Sequence, residues 1–465
     1  MSFVLFLPLI VLLMGLLVYC LERTLITGNQ IYCLLFILLY LPIYKNALIF
    51  SYQQTGSVIL VKVLQYSKEL VLIMGLATFI VTRKNIFHLN FRITTLDKLF
   101  LVFISLAFLF VLLPIGEATF FNKATYFKNM FLMGLMYFMG RNVRISDSLL
   151  IKGLQLLLCM GAIACFVAIL EKGFNTHLHS VINMSQFNSH IYDREPTGHY
   201  GLSWTFEAQG GKKRFGSIFA DPLEFSATCL LLFTASMMMY RTSIIRSNKL
   251  IYAISAVMAV ISIWLAYSRA SMLSFVFMLS YIAILLRYYW LIYVGIAGVI
   301  AITGYIIYFA PDETRYFVID TLTFANSSSL GHLLDWAAAV ESIIENPFGI
   351  GLAMSGNASG VEGELQVGGE NQYLIYGVQL GVIGMLLYIM ILAYAIRMSA
   401  KAYRRAKNPI DKIIPFCATC VKFGLLLPLF TSNAEIYLFI ALISWWMVGR
   451  SITIYDNQLT AQTNG

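Results

Sequence analysis

Thirteen apolar stretches divide this sequence, most of them close to the ~20 residues that a helix needs to cross a hydrocarbon core. They lie near 3–21, 31–50, 58–81, 99–115, 125–139, 150–170, 217–240, 249–267, 271–286, 289–309, 372–396, 413–430 and 435–449. The stretch at 125–139 is short and that at 58–81 carries Lys62, Lys68 and Glu69, so twelve and thirteen crossings both satisfy the length requirement. Their Leu, Ile, Phe and Met runs do not alternate with polar residues, which excludes a membrane β-barrel. With 59% hydrophobic and 12% charged residues, against about 45–50% and about 25% in soluble domains, the chain is no cytosolic enzyme. The expectation is an all-α polytopic membrane protein with 12–13 transmembrane helices, forming one membrane domain over 1–465. The first apolar run lacks a basic leader and a cleavage site, so it is read as a retained helix.

Charge orients the spans. The segment 397–412 holds Arg397, Lys401, Arg404, Arg405, Lys407 and Lys412 against Asp411, which marks it as cytoplasmic. Counting back puts Arg241/Arg246/Lys249, Arg141/Arg144/Lys152 and Arg83/Lys84/Arg92/Lys98 on the same side. Two long polar loops then face the other side, a first periplasmic loop at 171–215 and an acidic one at 310–371. The second holds nine acidic residues with Arg315 as its only Arg or Lys, a net charge of −8 within a chain of +9. The basic excess therefore reports topology and not nucleic-acid binding. The seven cysteines fall in or beside apolar runs, and Cys417-Ala-Thr-Cys420 has no second pair; none is assigned chemistry.

Arginine on the translocated side asks for a reason, and Arg194, Arg214, Arg269 and Arg315 are there. Arg214 stands where the first long loop enters a span, and Arg269 lies between two apolar runs, close to the membrane boundary. A planar guanidinium fork suits an anionic bidentate ligand such as a diphosphate; lipid headgroups, or ion pairs with Asp221, Glu224 or Glu370, are the plainer alternative. In the acidic loop Leu333, Trp336, Val340 and Ile344 recur at helical spacing, with His332, Asp335, Ser342 and Glu345 opposite. This predicts an amphipathic helix starting after Ser329 and ending by Asn346-Pro347, able to lie on the membrane over a cavity. His332 is suited to binding phosphate or moving a proton. Glu370, at the next span entrance, fits either a general base or an acid favoured by a helix N-terminus; Glu435 fits the latter. There is no P-loop, zinc motif, DxD-like metal pair or Cys/His nucleophile arrangement.

The order of short motifs resembles the bacterial O-antigen ligase and Wzy-type polysaccharide polymerase superfamily. These are Arg-Phe-Gly-Ser-Ile-Phe-Ala-Asp-Pro at 214–222, Tyr-Ser-Arg-Ala-Ser at 267–271, and His332-x-x-x-Trp336 followed by Asn-Pro-Phe-Gly-Ile-Gly at 346–351. Glu370-Asn-Gln-Tyr-Leu and Gly-Val-Gln-Leu-Gly-Val-Ile-Gly at 377–384 complete the set. The resemblance covers the C-terminal two-thirds in motif order and the N-terminal third in hydrophobic layout. It implies an inverting glycosyltransferase of the bacterial inner membrane, active at the periplasmic face without metal, nucleotide or other cofactor. Its donor would be a glycan on undecaprenyl diphosphate, and its other partners membrane lipid and a chain-length regulator protein. It further implies a diphosphate clamp of Arg214 and Arg269, assisted by Arg315 and His332, with Glu370 as base. Two positions depart from the ligase pattern, which has Arg at His332 and His-Asn at Glu370-Asn371. Glu-Asn-x-Tyr-Leu variants point to a repeat-unit polymerase of O-antigen, capsule or exopolysaccharide. A ligase acting on lipid A-core is the alternative, and a flippase or transporter is disfavoured by the absence of paired internal repeats.

Overall fold

The computed structural model describes residues 2–82, 92–143, 145–208, 211–312, 315–316, 319, 327–356 and 367–463. The first six helices are α1 (Ser2–Thr27), α2 (Ile31–Tyr40), α3 (Tyr44–Thr55), α4 (Val58–Thr82), α5 (Thr95–Leu112) and α6 (Phe120–Asn142). Next come α7 (Asp147–Gly173), the short α8 (Leu178–Val181) and α9 (Met184–Tyr192), and a two-stranded antiparallel ladder of β1 (Glu207–Ala208) and β2 (Lys212–Lys213). Four further helices follow: α10 (Pro222–Thr242), α11 (Arg246–Leu265), α12 (Arg269–Leu286) and α13 (Trp290–Tyr308). The last five are α14 (Ser327–Glu345), α15 (Gln372–Arg405), α16 (Ile413–Gly424), α17 (Leu426–Thr431) and α18 (Leu438–Thr463).

Among the described residues, eleven helical segments are long and apolar enough to cross a membrane, so the chain is an all-α, multi-pass membrane protein. The two expected crossings missing from that set, 58–81 and 125–139, are the helices α4 and α6, whose charges lower their hydropathy. The buried ones are answered inside the bundle, as membrane-embedded ions must be. Glu69 meets Lys68 at 3.3 Å and Lys128 of α6 at 2.9 Å, and buried Arg141 meets Asp97 at 3.3 Å and Asp456 at 2.8 Å. Helix α6 also crosses α18 at Gly140 and Gly449. A Cβ at either would stand 2.1 Å or less from a backbone carbonyl of the other helix, the close approach that small residues permit in membranes. Gly449→Leu is therefore expected to separate α6 from α18 and to collapse the yield of monodisperse protein in detergent; an unchanged yield would show that this crossing is not tight.

Basic residues collect at one end of the bundle. The Arg241 guanidinium lies 5.7 Å from the Tyr288 ring and that of Arg405 4.8 Å from Tyr455, while Arg450 donates to the Val143 carbonyl at 3.2 Å. Arg83, Lys84 and Arg144 lie outside the described residues. The opposite end carries the entrances of α10, α12, α15 and α18.

At that end α15 is broken. Gly381 has φ 72° and ψ −178°, a region essentially reserved for glycine, and the turn Pro347–Gly351 inserts at the break. Val382 N–H donates to the Pro347 carbonyl at 3.0 Å, Ile350 N–H to Val378 at 2.8 Å and Gly351 N–H to Gln379 at 3.2 Å. The Asn-Pro-Phe-Gly-Ile-Gly segment thus satisfies backbone groups that the kink frees. It also fixes α14 against the first half of α15, where Ala339, Ile343 and Val378 form a small core.

Helix α14 begins at Ser327, taking in the serines expected to precede it, and ends at Glu345 as expected. Its two faces have different surroundings. Buried Ala339 and Ile343, with half-buried His332, Asp335, Trp336 and Ser342, face the bundle, while Leu333, Val340 and Ile344 are exposed. Ile343 fits over Gly377, where a Cβ would stand 2.6 Å from its Cδ1, and this contact seats the Ile343 face of the helix on the bundle.

Candidate functional site

Arg214 follows the β1–β2 ladder directly. Its N–H donates to the Phe206 carbonyl at 2.9 Å, and Phe215 N–H reaches the Leu265 carbonyl at 3.4 Å, which lays this strand along the end of α11. Tyr267 then takes φ 49°, uncommon for a residue with a Cβ, and its carbonyl accepts from Arg214 Nε at 3.3 Å. Ser268 caps α12 through the Ser271 N–H at 3.3 Å, placing Arg269 in the first helical turn. A cation there opposes the positive end of the helix dipole, so helix stability does not explain it.

Arg214 is half-buried, and burial first, then the positive charge of Arg269, hold its guanidinium below the ordinary arginine range, against Tyr437 and Asp221. Among the described residues neither guanidinium forms an ion pair with a carboxylate. The Nη1 of Arg269 is buried without a hydrogen-bond partner. Asp221 is engaged elsewhere, capping α10 through the N–H groups of Leu223 at 2.7 Å and Glu224 at 2.9 Å. Two neighbouring cations at a helix N-terminus, neither in an ion pair and with Asp221 committed to capping α10, make a place where an anion is favoured.

His332 and Glu370 are in direct contact through Nδ1 and a carboxylate oxygen. Glu370 does not serve as the helix cap: Asn371 does, accepting from Tyr373 N–H at 3.0 Å and Leu374 N–H at 3.2 Å. Asp335, one turn along α14 from His332, is pushed above the usual carboxylate range by partial burial and by Glu370 beside it, while His332 pulls it down. An apolar groove of about 1050 Å³ opens next to this pair. Trp336 and Asn371 lie at its mouth, Phe277, Leu392 and Phe423 along its wall, and Arg397 at its far end.

The segment Ser432–Tyr437 links the two groups. Tyr437 interacts electrostatically with Arg214 and Asp221. Glu435 N–H donates to Gln372 Oε1 at 3.3 Å, beside Asn371. Glu435 is not a helix-terminal acid on the surface but a buried acceptor for Tyr388 Oη at 2.5 Å and Trp445 Nε1 at 3.3 Å.

The two other arginines of the long polar loops have local partners. Arg315 pairs with Asp312 at 3.4 Å, three residues away, and Arg194 is exposed, with its N–H bonded to the Asn188 carbonyl at 3.2 Å. Sequence reasoning passed over Tyr267 and Tyr437, which shape the arginine pair through a carbonyl and a ring and leave no pattern in the sequence. Asp335 had a signal, since i, i+3 spacing puts it on the His332 face.

Beneath Arg214 lie two buried histidines. His179 stacks edge-on to Phe206 at 4.8 Å with its Nε2 2.9 Å from the Phe219 carbonyl, and His177 contacts Tyr200, Phe206 and Phe215. Burial, then Lys213, pulls His177 down to about 4; burial, with smaller effects of His177 and Lys45, pulls His179 down to about 3. Both are neutral when folded, whereas an unfolded histidine titrates near ~6.5. As pH falls below about 6.5 the undocked segment takes up protons first, so the contribution of these two histidines to docking is flat above that pH and weakens toward about 4. Amides of 177–219 are expected to exchange faster at pH 5 than at pH 7.5 after correction for intrinsic rates, with His179→Phe blunting the difference. Equal protection at both pH values would contradict this.

No curated protein matches this chain. Residues 254–389, which contain Arg269, Arg315, His332 and Glu370, match the family model described as O-antigen ligase. The match spans less than a third of the chain and leaves Arg214 outside it. Members of that family are membrane glycosyltransferase-type enzymes. Together with the motif order, this match supports the O-antigen ligase/polymerase superfamily as the one to which the chain is related.

Proposed function

We propose that this protein is a polysaccharide repeat-unit polymerase. It transfers a growing glycan from undecaprenyl diphosphate to the sugar hydroxyl of another lipid-linked repeat, at the periplasmic face of the bacterial inner membrane, with inversion. The observation that carries the reading is the pair Arg214 and Arg269, two guanidinium groups without a carboxylate partner at the N-terminus of a membrane helix. In the proposed reaction the acceptor oxygen attacks the anomeric carbon, its proton passes to Glu370, and the bond to the diphosphate oxygen breaks with its electron pair. The departing diphosphate gains negative charge, which the two arginines are placed to stabilise. Contact with His332 orients the Glu370 carboxylate, and the apolar groove beside them suits an isoprenoid chain.

The two positions that depart from the ligase pattern, His332 and Glu370, are the two that touch. This paired change supports a carboxylate base and, with it, the polymerase over the ligase. The ligase reading draws on the description of the matching family model. Purified protein given synthetic undecaprenyl-diphosphate repeat units is expected to release a ladder of oligomers. A protein that moves glycan only to lipid A-core would be a ligase, and one that moves none would refute both. In the same assay Glu370→Gln is expected to slow turnover by roughly 10²–10⁴-fold, the usual contribution of a general base. His332→Ala should cost less, and an unaffected Glu370→Gln would remove the base role.

A further inference from the structure

A second cationic pocket lies one residue upstream of Arg214. It has a volume of about 330 Å³ and is lined by Lys172 at the end of α7, Lys212 and Lys213 of β2, and the aromatic residues Tyr200, Trp264 and Tyr267. The volume falls at the low end of small-ligand sites. Lys213 sits 4.8 Å from the Tyr200 ring centre and Lys172 5.8 Å from that of Phe215, while Lys213 Nζ also donates to the Asn175 carbonyl. The Tyr200 hydroxyl donates to Gly211 at 2.6 Å, fixing one wall.

Among the described residues no acid lines this pocket. The nearest acids are committed elsewhere: Glu171 accepts from Leu178 N–H at 2.7 Å and Ser217 N–H at 2.8 Å, and Glu207 pairs with His199 at 2.9 Å. Three ammonium groups without a counter-charge favour an anion. Lysine, a compact charge with rotatable donors, can meet a carboxylate without the fixed planar geometry that an arginine fork imposes. Tyr200, Trp264 and Tyr267 add aromatic faces, which pack against the apolar side of a sugar ring while their polar tips stay available for hydrogen bonds. Tyr267 is shared by both sites: it lines the lysine pocket and its carbonyl holds Arg214.

We propose that this pocket binds an acidic sugar of the lipid-linked glycan, one bearing a carboxylate such as a uronic acid, and so places the repeat relative to the diphosphate at Arg214. The inference rests on the polymerase reading for its biological meaning and names the substrate class that reading leaves open. It is a binding role; no bond is made or broken in this pocket.

The test uses full-length protein in phosphatidylcholine nanodiscs and calorimetric titration with glucuronate- and galacturonate-containing tetrasaccharides and their carboxyl-reduced, neutral forms. At least one acidic tetrasaccharide is expected to bind, with its neutral form at least tenfold weaker. The double variant Lys172→Gln/Lys212→Gln, both exposed positions, is expected to lose about tenfold, as removal of charge-assisted bonds does. Lys249→Gln at the far end of the bundle serves as a control and leaves binding as it was. Absence of binding by both acidic probes, or equal binding of the neutral forms, overturns the proposal. So does a double variant that loses only bound anionic phospholipid, measured by native mass spectrometry, while still binding the acidic sugar. The probes carry no diphosphate and no prenyl chain, so a polymer ladder without probe binding rejects this pocket alone. Probe binding without a ladder rejects the polymerase reading alone.

Discussion

Replacing Arg269 by alanine is expected to stop chain elongation while leaving the amount of membrane-inserted protein unchanged. The activity loss follows from where negative charge develops: removing one donor aimed at a developing anion costs about 10²–10³ in rate, or about 3–4 kcal/mol. The stability half follows from position. Arg269 stands in the first turn of α12, and its Nη1 is buried without a partner, so its removal takes a cation away from the positive end of a helix. Arg269→Lys keeps the charge and loses the fork, and should recover only part of the rate. Immunoblotting of membranes alongside the polymer ladder checks both halves. A normal ladder from Arg269→Ala would remove the clamp role.

Gly381→Ala is expected to be severely damaging for a single added methyl group. The position has φ 72°, and an added Cβ would stand 2.4 Å from the Pro347 carbonyl oxygen and 2.6 Å from the Phe348 carbonyl carbon. Backbone on the far side cannot rotate away as a side chain can. Strain at a glycine-only conformation adds to this overlap, so the cost should exceed about 4 kcal/mol, the range reserved for identifiable structural faults. Because the same contact seats α14, the variant should also lose the His332–Glu370 pairing. Size-exclusion profiles and thermal midpoints in detergent check this against Gly295→Ala, where nothing lies within 4 Å. Equal behaviour of the two variants would show that the break in α15 is not held by the 347–351 turn.

The architecture was legible because membrane spans are written in long apolar runs. The two runs that fell short, α4 and α6, were visible as the charged one and the short one, and both prove to be helices whose ions meet inside the bundle. At the candidate site, positions at span entrances draw attention to Arg214, Arg269 and Glu370, and helical spacing in the acidic loop to His332. Their grouping into two pairs was not legible. It depends on a positive φ at Tyr267 and a break at Gly381, neither of which has a fixed spacing. Arg315 was chosen as a rare cation in an acidic loop, and that same surplus of acid supplies its partner, Asp312. Which side of α14 meets the bundle was not legible either: packing against Gly377 is set by shape, whereas hydrophobic periodicity measures only polarity, and lipid can receive an exposed apolar face.

The claim on which the mechanism depends is that Arg214 and Arg269 together grip a polyprenyl diphosphate. Titrating undecaprenyl diphosphate and undecaprenyl monophosphate into nanodisc-embedded wild-type protein, Arg214→Ala, Arg269→Ala and the double variant measures it directly. The account predicts tighter binding of the diphosphate, a loss of about tenfold or more in each single variant, and a double-variant loss smaller than the sum because both groups hold one ligand. Equal affinity for the two lipids, or diphosphate binding indifferent to both substitutions, would contradict it.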